Sequence, residues 1–318
     1  MSGASSDLVS LDEIRAAAER IAPYILHTPM VPMTPSGPKL KAENLQPVGA
    51  FKIRGAFNAI LSLADEERQR GVIAHSSGNH AQAVAYAART LGVKAVIVIP
   101  SNAPSVKVDA TRRWGAEVHL VDPMGNARTE VCAVLAKQHG YIVVPPYESR
   151  RIVAGTGTIG LELLAQAPEV ETAYVPVSGG GLIAGVAAAI KQSNAAIRVI
   201  GVEPEFANDA RQSFRAGRIV RVPPEDTVRT IADGLRVSQV GEIPWAHIRA
   251  YVDDIVTVSE QQIREAMRRI AVEARLVAEP SGAVAAAGAL AGDSGSERTV
   301  AIVSGGNVDA KLFASIFA

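Results

Sequence analysis

The stretch Glu43-Asn44-Leu45-Gln46-Pro47-Val48-Gly49-Ala50-Phe51-Lys52-Ile53-Arg54-Gly55-Ala56 follows a strand-like alternation near Leu40 and leads into an apolar run with helical spacing. A strand-to-helix turn of this kind places its side chains in a cleft at the edge of an α/β sheet. Lys52 has apolar neighbours, so burial of the turn would lower the pKa of its ammonium group and produce a nucleophilic amine. The alternative interpretation is a surface lysine at the start of a helix.

The composition indicates a globular protein with small-molecule chemistry. The chain has 318 residues, which is enough for about two domains, and its 32 Lys and Arg residues balance its 32 Asp and Glu residues. This balance gives no reason to expect nucleic acid or an anionic membrane as a partner. The longest apolar runs, such as residues 93–100, are too short to span a bilayer, and no secretory signal is visible. We therefore expect a soluble, cytoplasmic protein.

Short apolar runs alternate with longer helical patterns along most of the chain. Ser10-Leu11-Asp12-Glu13 has the form of a capping box and predicts a helix ending near Ile21, whereas the proline-rich residues 27–38 predict a loop. Strands are predicted near residue 40 and at residues 72–75, 93–100, 118–121, 141–144, 173–177, 197–202 and 299–304, and helices at residues 53–63, 80–90, 104–114, 126–139, 182–192, 208–215, 260–275 and 283–290. The stretch Gly155-Thr156-Gly157-Thr158 is expected to lead into a helix through Leu164.

This alternation of strands and helices predicts parallel sheets that are covered by helices on both faces. No internal repeat and no low-complexity linker marks a domain boundary. We expect a small domain of about residues 71–148, inserted into a larger domain that is formed by residues 1–70 and 149–318. The single cysteine, Cys132, excludes an intramolecular disulfide and lies in an apolar helical run, so we expect it to be a core residue.

Three turns rich in glycine and serine follow predicted strands and precede helices, where parallel sheets bind ligands. In Ser178-Gly179-Gly180-Gly181-Leu182, consecutive glycines allow backbone N–H groups to converge on a phosphate at the positive end of a helix. Ser76-Ser77-Gly78-Asn79-His80 offers hydroxyl and N–H groups to a carboxylate, and Ser304-Gly305-Gly306-Asn307 could donate from Ser304 to a ring nitrogen. Each of these motifs is also compatible with an ordinary tight turn or helix cap.

Two other patterns favour different ligands. The spacing from Gly179 through Gly181 to Gly185, with Glu203 about twenty residues later, is similar to a dinucleotide-binding fingerprint and leaves an NAD-dependent dehydrogenase open. The segment from Glu203 to Asp209 carries three carboxylates, and oxygen ligands are what Mg²⁺ and Ca²⁺ prefer. The alternative for this segment is the solvated start of a helix.

The lysine turn and the three glycine-rich turns occur together in an order that is typical of one family. The chain resembles the fold type II pyridoxal phosphate (PLP) enzymes, whose fold is tryptophan synthase beta-like, and specifically the threonine/serine dehydratase (ammonia-lyase) and serine racemase branch. The resemblance covers about residues 11–291 and the last strand. It implies an α/β fold of two domains, with twisted, mainly parallel sheets flanked by helices and PLP in the cleft between them. It also implies a homodimer.

The resemblance implies a role for individual residues. Lys52 would be the Schiff-base lysine and the base that takes the Cα proton, and Ser77 would be a second catalytic residue on the opposite face of the substrate. The implied cofactor-binding residues are Phe51, Lys52, Asn79, Gly179, Gly180, Gly181, Leu182, Gly234, Glu279 and Ser304. The implied substrate-binding residues are Ser76, Ser77 and Asn79, and the implied ligands of a divalent cation (Mg or Ca) are Glu203, Ala207 by its carbonyl, and Asp209.

The reaction implied by the resemblance is elimination of water from a hydroxy amino acid such as L-threonine or L-serine, which gives a 2-oxo acid and ammonia. Ser77 leaves serine racemase open, and a 3-hydroxyaspartate ammonia-lyase is also open, with Arg150 or Arg151 for the additional carboxylate. The chain departs from the family pattern at Ala50, at Gly155-Thr156-Gly157-Thr158 and at Val237. These positions lie on the expected substrate side, so the family pattern does not define the substrate.

Overall fold

Two separate sheets form the framework of the fold, in a computed structural model that describes residues 8–76, 78–103, 105–122, 127–292 and 296–318. The larger sheet has the strand order β1-β2-β10-β7-β8-β9, and the smaller one has the order β5-β4-β3-β6. The strands are β1 (Met30–Pro32), β2 (Lys39–Ala42), β3 (Val72–His75), β4 (Ala95–Pro100), β5 (Glu117–Val121), β6 (Ile142–Val143), β7 (Thr172–Pro176), β8 (Arg198–Pro204), β9 (Asp254–Val258) and β10 (Thr299–Val303).

Helices connect the strands and cover both sheets. They are α1 (Leu11–Ile21), α2 (Lys52–Leu61), α3 (Asp65–Arg70), α4 (Asn79–Thr90), α5 (Ser105–Arg113), α6 (Ala127–His139), α7 (Arg150–Gln166), α8 (Gly181–Ser193), α9 (Asp209–Ala216), α10 (Pro224–Thr227), α11 (Glu242–Tyr251), α12 (Glu260–Glu273), α13 (Pro280–Ala291) and α14 (Ala310–Ser315). Short 3₁₀ helices occupy Ala22–Tyr24, Glu43–Leu45 and Asp233–Leu235. The capping box predicted at Ser10 is present, since Ser10 and Glu13 cap each other's backbone N–H groups.

The predicted α/β class with mainly parallel sheets is confirmed. Among the described strands only β1 pairs in the antiparallel sense, with β2 at the edge of the larger sheet. Central strands such as β10 are buried along their whole length, as expected when helices cover both faces of a parallel sheet. All strands of the smaller sheet come from residues 72–143, and the larger sheet draws on both flanks. This arrangement agrees with a domain inserted at residues 71–148, and that division stays a prediction.

An aromatic row joins α2, the helix that begins at Lys52, to the helices of the smaller sheet. Tyr24 stacks on Phe57 of α2 with ring centroids 4.9 Å apart. Phe57 meets the edge of Tyr86 of α4 at 6.1 Å, and Tyr86 meets Trp114 at 4.8 Å. Such edge-to-face pairs add to the free energy of burial. The Lys52 helix is therefore packed against the 3₁₀ helix that contains Tyr24 and against α4 of the smaller sheet.

Helix α7 begins earlier than expected, at Arg150, so residues 155–158 lie inside the helix and do not lead into it. Its glycines permit close helix packing instead. A Cβ atom at Gly155 would lie 2.7 Å from the Arg54 carbonyl oxygen, and one at Gly160 would lie 2.8 Å from the Ala189 side chain. Glycine inside a helix costs up to about 1 kcal/mol, which the close approach of neighbouring helices offsets.

Several elements carry too weak a pattern to be predicted from sequence. Strand β1 lies within the predicted proline-rich loop, and β9 follows α11 at the other edge of the larger sheet. Edge strands tolerate proline and polar residues, so they lack a continuous apolar run.

Cys132 is buried on α6, and burial raises the pKa of its thiol to about 11, in agreement with a core role. No helix in the described part of the chain is long and apolar enough to cross a membrane.

Candidate active site

Backbone hydrogen bonds join the lysine turn directly to the Ser304 turn. The Phe51 N–H donates to the Ser304 carbonyl (3.0 Å), and the Gly306 N–H donates to the Gly49 carbonyl (2.9 Å). Ala50 and Gly305 also form a β-bridge between the same two segments. Because β10 ends at residue 303, this contact brings its carboxyl end against the start of α2. Two of the four predicted turns are thus one structural unit.

The Lys52 ammonium group points into a desolvated environment. Its Nζ atom donates to the Pro146 carbonyl at 2.9 Å and lies 5.0 Å from the centroid of the Phe51 ring. Burial lowers the pKa of Lys52 to about 8. The amine form of Lys52 is therefore more populated near neutral pH than that of an ordinary lysine. Lys52 therefore has the electrostatics that the sequence predicted for a nucleophilic lysine.

A polar cluster connects the Ser76 turn (residues 76–80) to the Ser304 turn. The Asn79 side-chain amide donates to Glu279 Oε1 at 2.6 Å, and the Asn307 amide donates to Asn79 Oδ1 at 2.8 Å. The Glu279 N–H donates to the Gly305 carbonyl at 3.1 Å. A Cβ atom at Gly305 would lie 2.1 Å from Glu279 Oε1, so only glycine fits between these groups. Asn79 and Glu279, both predicted site residues, are therefore in direct contact.

A chain of hydrogen bonds runs from Ser304 to the glycine loop. The buried Ser304 hydroxyl donates to the Ser281 carbonyl at 3.4 Å, and the Ser281 hydroxyl accepts from the Gly234 N–H at 2.9 Å. The Gly234 carbonyl then accepts from the Ser178 hydroxyl at 3.3 Å. Gly234 therefore lies between the Ser304 turn and the glycine loop, and its predicted role in cofactor binding stays a prediction.

The glycine loop has free backbone donors at the start of α8. Ser178 (φ 55°) and Gly180 (φ 88°) adopt left-handed conformations, which turn the chain sharply into the helix. Within the described residues, the N–H groups of Gly179, Gly181 and Leu182 donate to no acceptor, whereas the Gly180 N–H donates to the Val177 carbonyl. Free N–H groups at a helix N-terminus bind phosphate. Gly180 thus contributes its conformation rather than its N–H group.

The segment after β6, which sequence reasoning missed, contacts both Lys52 and the glycine loop. Pro146 provides the carbonyl that accepts from Lys52, and the half-buried Tyr147 ring packs on Gly179. A Cβ atom at Gly179 would lie 2.3 Å from that ring, and one at Gly181 would lie 2.8 Å from the Tyr147 Cβ atom. The only sequence signal was the location of this segment at the carboxyl end of a parallel strand.

Glu148 extends this contact to the start of α11. Its carboxylate accepts the N–H groups of Glu242 (2.9 Å) and Ile243 (2.7 Å), as an acidic residue at a helix N-terminus does. The preceding Gly241 donates its N–H to the Gly179 carbonyl at 3.2 Å. The loop that carries the free N–H groups is therefore held from two sides.

The Ser76 turn (residues 76–80) is described only in part, because Ser77 lies outside the described residues. The Gly78 N–H donates to the Ser76 hydroxyl at 3.2 Å, and Gly78 precedes the first residue of α4. His80 is buried, with Nε2 donating to the Val144 carbonyl at 2.9 Å. The catalytic role of Ser77 stays a prediction.

The neutral form of His80 makes stability depend on pH. Burial, followed by the charge of Lys52, lowers the pKa of His80 to about 3, so the unfolded chain binds a proton that the folded chain does not. Stability is therefore lost as pH falls from about 6.5 toward 3, by roughly 2–3 kcal/mol from this residue at pH 4.5. Urea unfolding of the protein and of its His80→Gln variant at pH 7 and pH 4.5 measures this difference. Parallel pH dependence of the two proteins would contradict it.

Glu203 and Asp209 form a pair of buried carboxylates. Glu203 accepts the N–H groups of Ala210 (3.3 Å) and Arg211 (2.8 Å), while neither Asp209 oxygen accepts a hydrogen bond of good geometry among the described residues. Burial and the neighbouring Asp209 raise the pKa of Glu203 well above its usual value. Burial raises the pKa of Asp209 to about 7, and nearby backbone N–H groups oppose this only in part. The Glu203 side chain is fully buried, which does not suit a residue that binds the ribose of a nicotinamide cofactor.

The side chains of Glu203 and Asp209 are the only two in the metal site predicted from sequence. No group of three or more His, Cys, Asp or Glu side chains in the described part of the chain could hold a metal ion, so the two carboxylates would need carbonyl or water ligands.

Arg150 is not a free cation facing the cleft, because its guanidinium pairs with Glu13 at 2.9 Å and donates to the Leu8 carbonyl at 3.2 Å. Arg151 is exposed.

Comparison with known proteins agrees with this constellation of turns. Residues 21–305 match the family described as "Pyridoxal-phosphate dependent enzyme". The L-threo-3-hydroxyaspartate ammonia-lyase of Saccharomyces cerevisiae is 41% identical over 96% of this chain and 95% of its own. The catabolic L-threonine dehydratase of Escherichia coli is also 41% identical, over 95% of this chain and 94% of its own. The structure of maize serine racemase has a TM-score of 0.91 and 41% identity, covering 97% of each chain.

These matches cover nearly the whole chain at identities that define a family. They confirm the predicted resemblance, the fold type II architecture and a PLP-dependent enzyme of the lyase type. They give no support to the dehydrogenase alternative. The chain belongs to the family of pyridoxal-phosphate dependent enzymes, in the fold type II branch that contains threonine dehydratases, 3-hydroxyaspartate ammonia-lyases and serine racemases.

Proposed function

We propose that the chain is a PLP-dependent ammonia-lyase that eliminates water from a hydroxy amino acid such as L-threonine or L-serine and releases a 2-oxo acid and ammonia. The observation that supports this most is the Lys52 amine. It has a pKa of about 8 and belongs to the same unit as Ser304. The segment that accepts its hydrogen bond also packs on a glycine loop with free N–H groups. Family membership supplies the cofactor class.

The residues present fit PLP well. The free N–H groups of Gly179, Gly181 and Leu182 would hold its phosphate in the loop shaped by Gly180, and Lys52 would bind it covalently. Ser304 would face the pyridine nitrogen and Asn79 the ring hydroxyl. The remaining residues beside the ring would be Phe51, Gly234 and Glu279.

The chain's own groups then perform the proton transfers. PLP, when bound, draws electron density away from the substrate Cα atom. The Lys52 amine takes the Cα proton, since Lys52 titrates near the working pH. The neutral Ser304 hydroxyl leaves the pyridine nitrogen less protonated than a carboxylate would, which favours prompt loss of the β-hydroxyl over transamination. Ser76, Ser77 and Asn79 would bind the substrate carboxylate, and only in the serine racemase alternative would Ser77 also return a proton to Cα on the opposite face.

The substrate is the least constrained part of the proposal, because relatives with three different activities are equally similar at 41% identity. Serine racemase requires an acid opposite Lys52, the role proposed for Ser77. A 3-hydroxyaspartate ammonia-lyase requires a cation for the additional carboxylate, and the pairing of Arg150 with Glu13 removes one candidate.

Product analysis distinguishes these reactions. The purified protein with PLP is incubated with L-serine, L-threonine and both diastereomers of 3-hydroxyaspartate, and 2-oxo acid, ammonia and amino acid chirality are measured. We expect 2-oxo acid and ammonia in equal amounts from L-threonine or L-serine. Formation of D-serine without 2-oxo acid would assign a racemase, and turnover of 3-hydroxyaspartate alone would assign that ammonia-lyase. No product from any of these substrates would contradict the proposal.

A divalent cation would complete the Glu203 and Asp209 pair, together with the Ala207 carbonyl. In the part of the chain that the structure describes, neither of these buried carboxylates forms an ion pair, and the charge of Arg211 opposes the raised pKa of Glu203 only in part. Mg²⁺ and Ca²⁺ prefer such oxygen ligands. In the absence of cation, the raised pKa of Asp209 means that its contribution to stability is lost as pH rises from about 4 through 7.

We therefore expect Mg²⁺ or Ca²⁺ to stabilise the protein at pH 7.5, by about 2.7 kcal/mol at a concentration 100 times the Kd. Thermal unfolding with and without each cation, and with EDTA, measures the effect. The Asp209→Asn variant should lose most of it, whereas Asp254→Asn, at the exposed start of β9, should retain it. An equal shift in both variants, or no shift in the unsubstituted protein, would contradict the cation site.

A further inference from the structure

Two charged side chains pair with each other at the two ends of the lysine turn, which comprises residues 43–54. Glu43 and Arg54, at the two ends of the turn, are both fully buried. Arg54 donates through Nε to Glu43 Oε2 (2.7 Å) and through Nη2 to Glu43 Oε1 (2.8 Å). Bidentate pairing of this kind fixes orientation as well as distance. The chain between these ends carries Lys52.

Further hydrogen bonds connect the same pair to α7 and, through Glu162, to β2. Arg54 donates to Glu162 of α7 through Nη1 (2.6 Å) and Nη2 (2.9 Å), and Lys41 of β2 donates to Glu162 at 2.5 Å. The Glu43 carboxylate also accepts from the Thr28 hydroxyl at 2.6 Å. Two cations and two carboxylates make the network formally neutral, and Lys41, Glu43 and Arg54 have 0% exposed side chains.

Stability alone does not account for this network. Charged groups lose their hydration when they are buried, so apolar side chains of similar volume are often equally or more stabilising in their place. A network of directional bonds has a different property, because it permits one arrangement of the backbone and penalises others. Arg54 is two residues after Lys52, in the first turn of α2. Displacement of Arg54 therefore displaces Lys52.

We infer that the Glu43–Arg54 pair, braced by Glu162 and Lys41, positions the lysine turn so that the Lys52 amine stays desolvated against the Pro146 carbonyl. Arg54 and Glu43 act through Lys52 and touch no reacting atom, so they are positioning residues. The far side of the turn is held by backbone hydrogen bonds to residues 304–306. A displacement of about 1 Å in a reacting group can lower a rate about 100-fold, which gives the network its functional weight.

The significance of this inference rests on the proposed function, but its test does not require cofactor. In the PLP-free protein, competitive labelling with acetic anhydride across pH 6–11, followed by mass spectrometry of the Lys52 peptide, gives the titration midpoint of Lys52. We expect a midpoint near 8. A midpoint near 8 in a protein that binds no PLP would retain this inference and reject the proposed function.

The informative variant is the double substitution Glu43→Gln with Arg54→Met, which removes one positive and one negative charge and leaves Lys41 paired with Glu162. A second variant, Arg54→Lys, keeps the charge and loses the planar fork. The matched control replaces another ion pair away from the site, as Lys191→Met with Asp253→Asn.

We expect the double variant to raise the Lys52 midpoint by about one pH unit or more, toward the ordinary value of about 10.4, and Arg54→Lys to raise it by less. The control should leave it unchanged. In PLP-loaded protein, kcat should fall about 10- to 100-fold with a smaller change in KM. A lowered unfolding midpoint in urea with an unchanged Lys52 midpoint would overturn the inference. If the double variant does not fold, an unchanged midpoint in folded Arg54→Lys overturns it, and a raised midpoint supports it.

Discussion

Replacing Lys52 with alanine is expected to lower kcat for the elimination by at least about 10²- to 10⁴-fold, the usual contribution of a positioned general base. The variant should also lose the visible absorption of covalently bound PLP. Both effects would have the same physical origin, because in the proposed function the desolvated Lys52 amine, with a pKa of about 8, is both the nucleophile for the cofactor and the acceptor of the Cα proton. Absorption spectra and 2-oxo acid formation by the purified variant measure them.

The control for this substitution is Lys311→Ala, at an exposed lysine of α14 far along the chain. It should keep both the spectrum and the rate. Retention of more than about a tenth of the activity by Lys52→Ala, without added amine, would show that another group takes the proton.

Replacing Gly179 with alanine is expected to weaken PLP binding by at least about 100-fold. The new Cβ atom would lie 2.3 Å from the Tyr147 ring, so either the ring or the loop must move. Movement of the loop would misalign the N–H groups of Gly179 and Gly181, each of which is worth roughly 1.5–3 kcal/mol when bonded to a charged phosphate. Titration of the PLP-free variant with PLP, followed by absorbance, gives the Kd.

Two further variants separate loss of the phosphate site from loss of stability. In Gly288→Ala, the new Cβ atom would lie 2.7 Å from the Val202 side chain in the core, so the protein should unfold at lower temperature without a change in PLP affinity. Adding Tyr147→Ala to Gly179→Ala removes the clash and should restore part of the affinity. If both glycine variants weaken PLP binding equally, the loop is not the phosphate site.

Helices and strands could be predicted from the sequence where they are buried on all sides. Strand β3 and helix α4 lie within one residue of their predicted bounds, because apolar runs and glycine or proline punctuation mark them. The start of helix α7 was expected near Gly155, but the helix begins at Arg150 and Gly155 permits close packing within it. Local sequence does not show whether a glycine is needed by the backbone or by a neighbouring helix.

Residues of the candidate site could be predicted from the sequence where they follow parallel strands. Lys52, the glycine loop and Ser304 lie at such positions. Backbone hydrogen bonds join the Lys52 turn to Ser304, residues 146–147 connect it to the glycine loop, and the roles of these residues stay predictions. Tyr147 was missed because only its tertiary contact with Gly179 indicates a role. Arg150 carried a charge of the right sign, but its pairing with Glu13, 137 residues away, is not visible in local sequence.

Borohydride reduction of the purified, PLP-loaded protein, followed by proteolysis and mass spectrometry, tests directly whether Lys52 binds the cofactor. The account predicts one phosphopyridoxyl group per chain, on the peptide that contains Lys52, and none in Lys52→Ala. Labelling of a different lysine, or no labelling of a folded protein after incubation with PLP, would contradict it.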